Sequence, residues 1–319
     1  MGLIFNLLGI VDQVKCGSVC KRWYKAMMKL QIFMKPQITW IKASKSKKPL
    51  EYNIQKLHPT LNLKMRRILL EWLVDVQLYF QGSDRALFLC FELLDRLIES
   101  CKKMCKRDFQ CYGIVCLWIS SKYEDSTHKN LEKICDVCED CYDQKKILET
   151  EKEILNTLNW ELYGPTVYSF ANEYLERIDF EKEIISPSSS SSISHQSNQA
   201  SIEHLFSDIV PEAVNYLVHI SYYYSIYFKN YSKMQIAAAS VYLSLLSFDL
   251  VKTFPPSILK MIDSSLSPLL ECCNLLSELF KSYLSSFPSH DSPAIHSKFC
   301  MEKYKRVAEY LLPVNLIPN

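Results

Sequence analysis

Glycine is scarce, at six in 319 residues. Phosphate-cradling loops of the G-x-G-x-x-G or G-x-x-x-x-G-K-[ST] type do not occur, and strand-rich folds with many tight turns are disfavoured. An excess of one charge is also lacking, with 37 Lys+Arg against 35 Asp+Glu and a net charge of +2. A chain whose main partner was a phosphate backbone would be far more basic, so no nucleic acid is expected as a partner. Long apolar runs are missing too. The best, Cys111 to Ser121, is about half a bilayer span, so no membrane partner is expected. Met1 to Val11 is apolar but has no positive segment before it, unlike a signal peptide. Gly2 opens a myristoylation-like start, but Asn6 stands where Ser or Thr is needed.

Cysteine is plentiful: thirteen, an odd number, scattered through apolar helical patterns. Without a secretion signal these read as free thiols acting as small hydrophobes in a reducing compartment, nucleus or cytoplasm. Cys135-x-x-Cys138-x-x-Cys141 has partial metal-ligand spacing. It lacks a fourth ligand at a recognised distance and is interleaved with Asp136, Glu139 and Asp140. It reads as a short helix, with no metal and no cofactor expected. No Ser/His/Asp constellation or phosphate loop supports an enzyme, so no catalytic residues are assigned.

Helical period dominates the chain. Met65, Ile68, Leu69, Trp72, Leu73 and Val76 fall on one face of a helix. After Gly82-Ser83, the residues Leu87, Cys90, Phe91, Leu94, Leu97 and Ile98 mark a second helix. Phe109 to Ile119 is apolar all round, which requires a central position among other helices. Gly113 in its middle costs about 1 kcal/mol relative to Ala, and a close crossing by a neighbouring helix would compensate. A short helix near Leu131 to Val137 follows, and Ile147, Leu148, Ile154, Leu155 and Leu158 outline a fifth.

The pattern then recurs. Gln110 to Ser120 aligns with Gln235 to Leu245 at an offset of 125 residues. Val214, Leu217, Val218 and Ser221 repeat the second helix, and Leu269 to Leu284 the fifth. Between the halves, Ser186 to Gln199 holds a serine run broken only by Ile193. It cannot bury a core and is expected to be a disordered insertion.

Met65-Arg66-Arg67-Ile68-Leu69-Leu70-Glu71-Trp72-Leu73 resembles the first helix of the cyclin box. The likeness continues through Leu94-Asp95-Arg96, Ser121-Lys122-Tyr123-Glu124, Glu151-Lys152-Glu153-Ile154-Leu155 and Leu158-Asn159-Trp160. Ile295 to Tyr304 resembles the usual close of the second cyclin repeat. The resemblance covers roughly residues 50 to 312. It implies an all-α fold of two tandem five-helix cyclin-box repeats, at 61–163 and 164–312, and binding to a cyclin-dependent kinase. Val19-Cys20-Lys21-Arg22-Trp23-Tyr24 resembles the end of an F-box, as in F-box-containing cyclins, although the Leu-Pro opening is absent. Residues 1–34 would then dock on the Skp-type adaptor of a cullin–RING ubiquitin ligase through Leu7, Leu8 and Trp23, or would simply be a helical extension packed on the cyclin box. Residues 35–60 read as linker and N-terminal segment. Lys42, Lys45, Lys47 and Lys48 in it are either a solvated linker or a nuclear signal, fitting a nuclear and cytoplasmic protein.

Single residues acquire roles in this light. Arg66 and Asp95 pair in the resemblance and read as a structural ion pair. Glu151 lies on the apolar side of the fifth helix and needs a partner, while Lys122 suits the C-terminal end of the central helix. The resemblance places both in a kinase contact, with Ile119, Tyr123, Leu155, Trp160 and Leu162 as its apolar surround. The second copy has Ser247 at an offset of 125 from Lys122 and Ser277 at an offset of 126 from Glu151, so the pair is not a requirement of the helical bundle. Met65, Ile68, Leu69, Trp72, Asp75 and Gln110 match the cyclin groove for Arg-x-Leu-type substrate proteins. The rival readings are a ligase receptor without kinase binding and a transcription factor built from cyclin-like repeats.

Overall fold

The computed structural model describes residues 54–101, 104–139, 141–179, 183–184, 201–262, 265–287 and 292–314. The F-box-like segment, most of the linker and the serine-rich insertion lie outside these residues. No strand occurs among the described residues, and no described helix is long and apolar enough to cross a membrane.

After one helical turn at Ile54–Leu57, the first half contains α1 (Leu63–Phe80), α2 (Asp84–Ser100), α3 (Phe109–Glu124), α4 (Leu131–Asp136) and α5 (Gln144–Thr157). The second contains α6 (Val167–Arg177), α7 (Val210–Tyr223), α8 (Lys233–Ser247), α9 (Leu266–Ser285) and the short α10 (Ala294–Phe299). Side-chain caps set most starts. Asn62 accepts from the Met65 N–H at 2.9 Å and Ser83 from Ala86 at 3.1 Å. Asp143 accepts from Lys146, and Thr166–Ser169 and Ser232–Gln235 form reciprocal capping boxes.

Each half surrounds one apolar helix. α1, α2 and α5 pack on α3, while α6, α7 and α9 pack on α8. The stretches aligned at an offset of 125 are thus the buried centres of the two halves. Gly113 sits where α3 meets α1: a Cβ there would lie 2.8 Å from Leu69 Cδ1, 3.0 Å from Cδ2 and 3.1 Å from Cγ. This is the expected close crossing.

Two local readings change. The buried face of α1 runs through Arg66, Leu69, Leu70, Leu73, Val74, Val76, Gln77 and Phe80, so Leu69, Leu73 and Val76 of the expected face are buried, whereas Ile68 is 58% exposed. The face is turned toward Arg66 because Asp95 neutralises that buried cation, which an apolar-residue count cannot register. The cysteine run is not one helix either. α4 ends at Asp136, leaving Cys138 buried in a following turn and Cys141 exposed.

Polar contacts join the halves. Arg66 donates from Nε and Nη2 to both Asp95 oxygens at 2.7 Å and from Nη1 to the Tyr222 carbonyl at 2.9 Å. Tyr222 donates its hydroxyl proton to Glu92 at 2.6 Å, and Lys233 donates to the other Glu92 oxygen at 2.5 Å. Lys298 of α10 is fully buried and donates to Asp84 at 2.5 Å, to Gln77 at 3.2 Å and to His219 Nε2 at 3.2 Å. Burial, and the Lys298 charge with it, push His219 down to about 3. The neutral ring therefore accepts from Lys298 and donates from Nδ1 to the Asn215 carbonyl at 2.9 Å.

Gly113→Ala tests the crossing. Helix propensity alone predicts a gain of about 1 kcal/mol. The whole buried Leu69 side chain must move, and overpacking of this kind costs about 1–3 kcal/mol. A lower urea midpoint is expected, and Gly113→Ala should cost less in a Leu69→Ala background than in wild type; a raised midpoint for the single variant would contradict the packing.

Candidate functional site

α3 and α5 carry the first candidate face. Their register is fixed by Tyr112, which donates to Glu153 at 2.8 Å, and by Cys111 beside Thr150 at 3.5 Å. In the last turn of α3, Lys122 donates to the Glu151 carboxylate of α5. The pair is half-buried, with 28% of the lysine and 19% of the glutamate side chain exposed. Burial lowers the Lys122 ammonium from its ordinary range, and Glu151 works against that shift. The ammonium also lies 3.4 Å from the ring centroid of Trp118, one turn earlier on α3.

The surround is apolar and partly bare. Tyr123, Leu155 and Leu162 are half-buried, and Ile119 is buried behind them. Trp160 follows α5 and is 58% exposed. It and Asn159 have φ of +60° and +52°, a conformation costly for residues with a Cβ. That backbone reverses the chain after α5 and turns a large aromatic side chain toward solvent. Leu148, 47% exposed, shares the α5 surface with Glu151 and Leu155 at i, i+3 and i+7. Sequence reasoning placed Leu148 only in the helix pattern; its spacing from Glu151 and Leu155 was the available signal.

The second-half counterparts serve the chain itself. Ser247 donates to the Leu312 carbonyl at 3.1 Å and Ser277 to the Val314 carbonyl, so the C-terminal described residues lie across that surface.

A second candidate face lies on α1. Ile68, Trp72 and Asp75 form an outward strip, with Met65 half-buried on α1 and Gln110 half-buried in the first turn of α3. Leu69 lies beneath the strip, 5% exposed against Gly113. Tyr79, one turn beyond Asp75 and 76% exposed, extends the strip and was not singled out from sequence. Arg66 and Asp95, by contrast, are interior and structural.

Behind the strip, Glu71 accepts from the Tyr283 hydroxyl of α9 at 3.1 Å and from the Ile295 N–H of α10 at 2.8 Å. Burial pushes its carboxyl up to about 7, against those hydrogen bonds and with the help of Asp75.

Residues 37–163 match the family described as Cyclin, N-terminal domain. Cyclin-B1-1 of Arabidopsis thaliana is 27% identical over 256 residues, 80% of this chain and 53% of the relative. Cyclin-A1-2 of the same plant is 27% identical over 273 residues, 85% and 55%. G2/mitotic-specific cyclin-A of Patella vulgata is 26% identical, covering 82% and 54%. The X-ray structure of a viral cyclin from herpesvirus saimiri superposes with a TM-score of 0.54 at 17% identity, over 72% of this chain and 89% of that one, which shows the fold alone. The described residues have the all-helical fold of that viral cyclin, residues 37–163 match the cyclin N-terminal domain, and the chain is similar to A- and B-type cyclins. It spans about half the length of the curated relatives it matches.

The raised carboxyl of Glu71 makes stability fall with pH. An acid with a folded pKa above its unfolded one contributes stability below the unfolded value, near 4.5, and loses it as pH rises through about 7. Glu71→Gln retains an acceptor for the Ile295 N–H without the titration. Chemical denaturation from about pH 5 to about pH 8 should show wild type losing stability relative to the variant, by up to about 3 kcal/mol. A constant difference would contradict the assignment.

Proposed function

We propose that the chain is a regulatory, non-catalytic subunit that binds a cyclin-dependent kinase through the α3–α5 face. The observation that carries this reading is the half-buried Lys122–Glu151 pair amid outward-facing Leu148, Leu155 and Trp160. A desolvated charge pair ringed by bare apolar groups resembles the centre of an interface awaiting a partner. The serines at the second-half counterparts support a task confined to residues 61–163, the first cyclin box. Residues 164–312 are proposed as the second repeat.

The strip of Ile68, Trp72, Asp75 and Tyr79, with Met65 and Gln110 beside it, is proposed to dock Arg-x-Leu-type substrate proteins. The apolar groups would take the leucine and Asp75 the cation. Because Leu69 supports the core, its truncation would confound a binding test, whereas Ile68 and Trp72 can be cut back with less damage. In a fluorescence-anisotropy titration, Ile68→Ala/Trp72→Ala should weaken an Arg-x-Leu peptide about 10-fold or more. Unchanged affinity would exclude the strip.

An additional role as a ubiquitin-ligase receptor rests on the sequence of residues 1–34, through Leu7, Leu8 and Trp23. That segment precedes the matched domain at residue 37. Nuclear and cytoplasmic residence rests on the lysines of the linker. One affinity purification read by mass spectrometry addresses both partners. Lys122→Ala/Glu151→Ala should lose the kinase while keeping helical circular dichroism, since truncating a desolvated interface charge costs about 2–5 kcal/mol. Leu7→Ala/Trp23→Ala should lose only the Skp-type adaptor. Kinase recovery unaffected by the first pair, or absent from wild type, would refute kinase docking through this face; adaptor recovery absent from wild type would refute the ligase role.

A further inference from the structure

We infer that Trp118 is a positioning residue of the α3–α5 face, an aromatic platform that holds the Lys122 ammonium in place for the partner. The inference rests on the kinase-docking reading and adds to it a residue that neither touches the partner nor belongs to the charge pair. Lysine is a compact cation on a four-carbon stem with many rotamers, and ordering it costs conformational entropy. Glu151 alone leaves much of that freedom, because a carboxylate accepts from several directions.

Trp118 restricts the lysine from a second side. It lies four residues before Lys122 on α3, so the two side chains share a helix face. Its ring centroid is 3.4 Å from Nζ, well inside the range of a cation–π contact. The ring is itself immobile. It is 7% exposed, and its indole N–H donates to the Lys129 carbonyl at 2.9 Å, tying it to the loop after α3. Lys122 is therefore held between a fixed π face and the Glu151 carboxylate. A carboxylate or carbonyl on a partner can compete for the ammonium while the ring still fixes its position. At the second-half counterpart of Trp118, offset by 125 residues, stands Leu243, one turn before Ser247. The platform and the cation are thus absent together from the half that lacks this face.

The test separates a π platform from plain core packing. Trp118→Phe keeps an aromatic face and loses the indole N–H, while Trp118→Leu loses both. Each is made in the full chain, with Lys122 and with Lys122→Met, and each is titrated against the cyclin-dependent kinase that co-purifies with wild type. Trp118→Leu should weaken binding about 10-fold, Trp118→Phe no more than about 3-fold, and Trp118→Leu in the Lys122→Met background less than about 2-fold further. NMR should show the Lys122 side-chain signals shifted upfield by the ring in wild type and in Trp118→Phe but not in Trp118→Leu. Equal losses in both backgrounds, no loss at all, or an unshifted wild-type Lys122 would overturn the inference while kinase docking stood. A wild-type chain that binds no kinase overturns the docking reading, and this inference with it.

Discussion

The two halves depend on one buried guanidinium. Arg66 is 2% exposed, and its donors are shared between the carboxylate of Asp95 and the carbonyl of Tyr222. Asp95 belongs to α2, whereas Tyr222 lies in the last turn of α7, where helical carbonyls lack the usual i+4 donor. One side chain therefore neutralises itself within the first half and donates to a helix-end carbonyl of the second. Removing one member of such a buried pair typically costs about 3–5 kcal/mol, because the other charge is left unpaired in a medium that solvates it poorly. Tyr222 is held at its other end as well, by Glu92 and by the Val167 N–H at 3.3 Å. The Lys298–Asp84–His219 group repeats the principle on the other side of α7. There burial pushes the Asp84 carboxyl up, and the charge of Lys298 beside it outweighs that and holds it below the ordinary carboxylate range. The candidate faces stand on a frame fixed by these buried polar contacts.

That frame makes the difference between the halves informative. Both bury an apolar central helix under matching neighbours, yet the surfaces at matching positions are treated differently. In the first half, a charged pair and large apolar groups are left partly open. In the second, two serines hold the carbonyls of Leu312 and Val314, and Leu311 is buried. The same architecture thus offers one surface outward and closes its counterpart with its own chain.

Much of this was legible in the sequence where apolar spacing decides the outcome. The all-round apolar stretch at Phe109 to Ile119 became the centre of its half, and Gly113 marked the crossing with α1. Pairing between distant charges was legible only where the cyclin resemblance supplied it, as for Arg66 with Asp95 and Lys122 with Glu151. Lys298 gave no such signal, because a lysine in a mixed segment looks solvated until Asp84, Gln77 and His219 are brought around it from three other helices. The orientation of α1 was misjudged by about one position for the same reason, since its buried face includes a charge. Trp160 shows the complementary case: the cyclin resemblance assigned it to a surface, but only the left-handed backbone at Asn159 and Trp160 explains its exposure.

The central claim is that the α3–α5 face is the docking surface and its second-half counterpart is not. Hydrogen–deuterium exchange of the full chain, alone and saturated with a cyclin-dependent kinase, tests this directly. The account predicts slower exchange on binding at residues 118–124 and 148–162, with no change in α8 or α9. Protection of α8 and α9 instead, or unchanged exchange at the end of α3 and along α5 despite saturation, would contradict it.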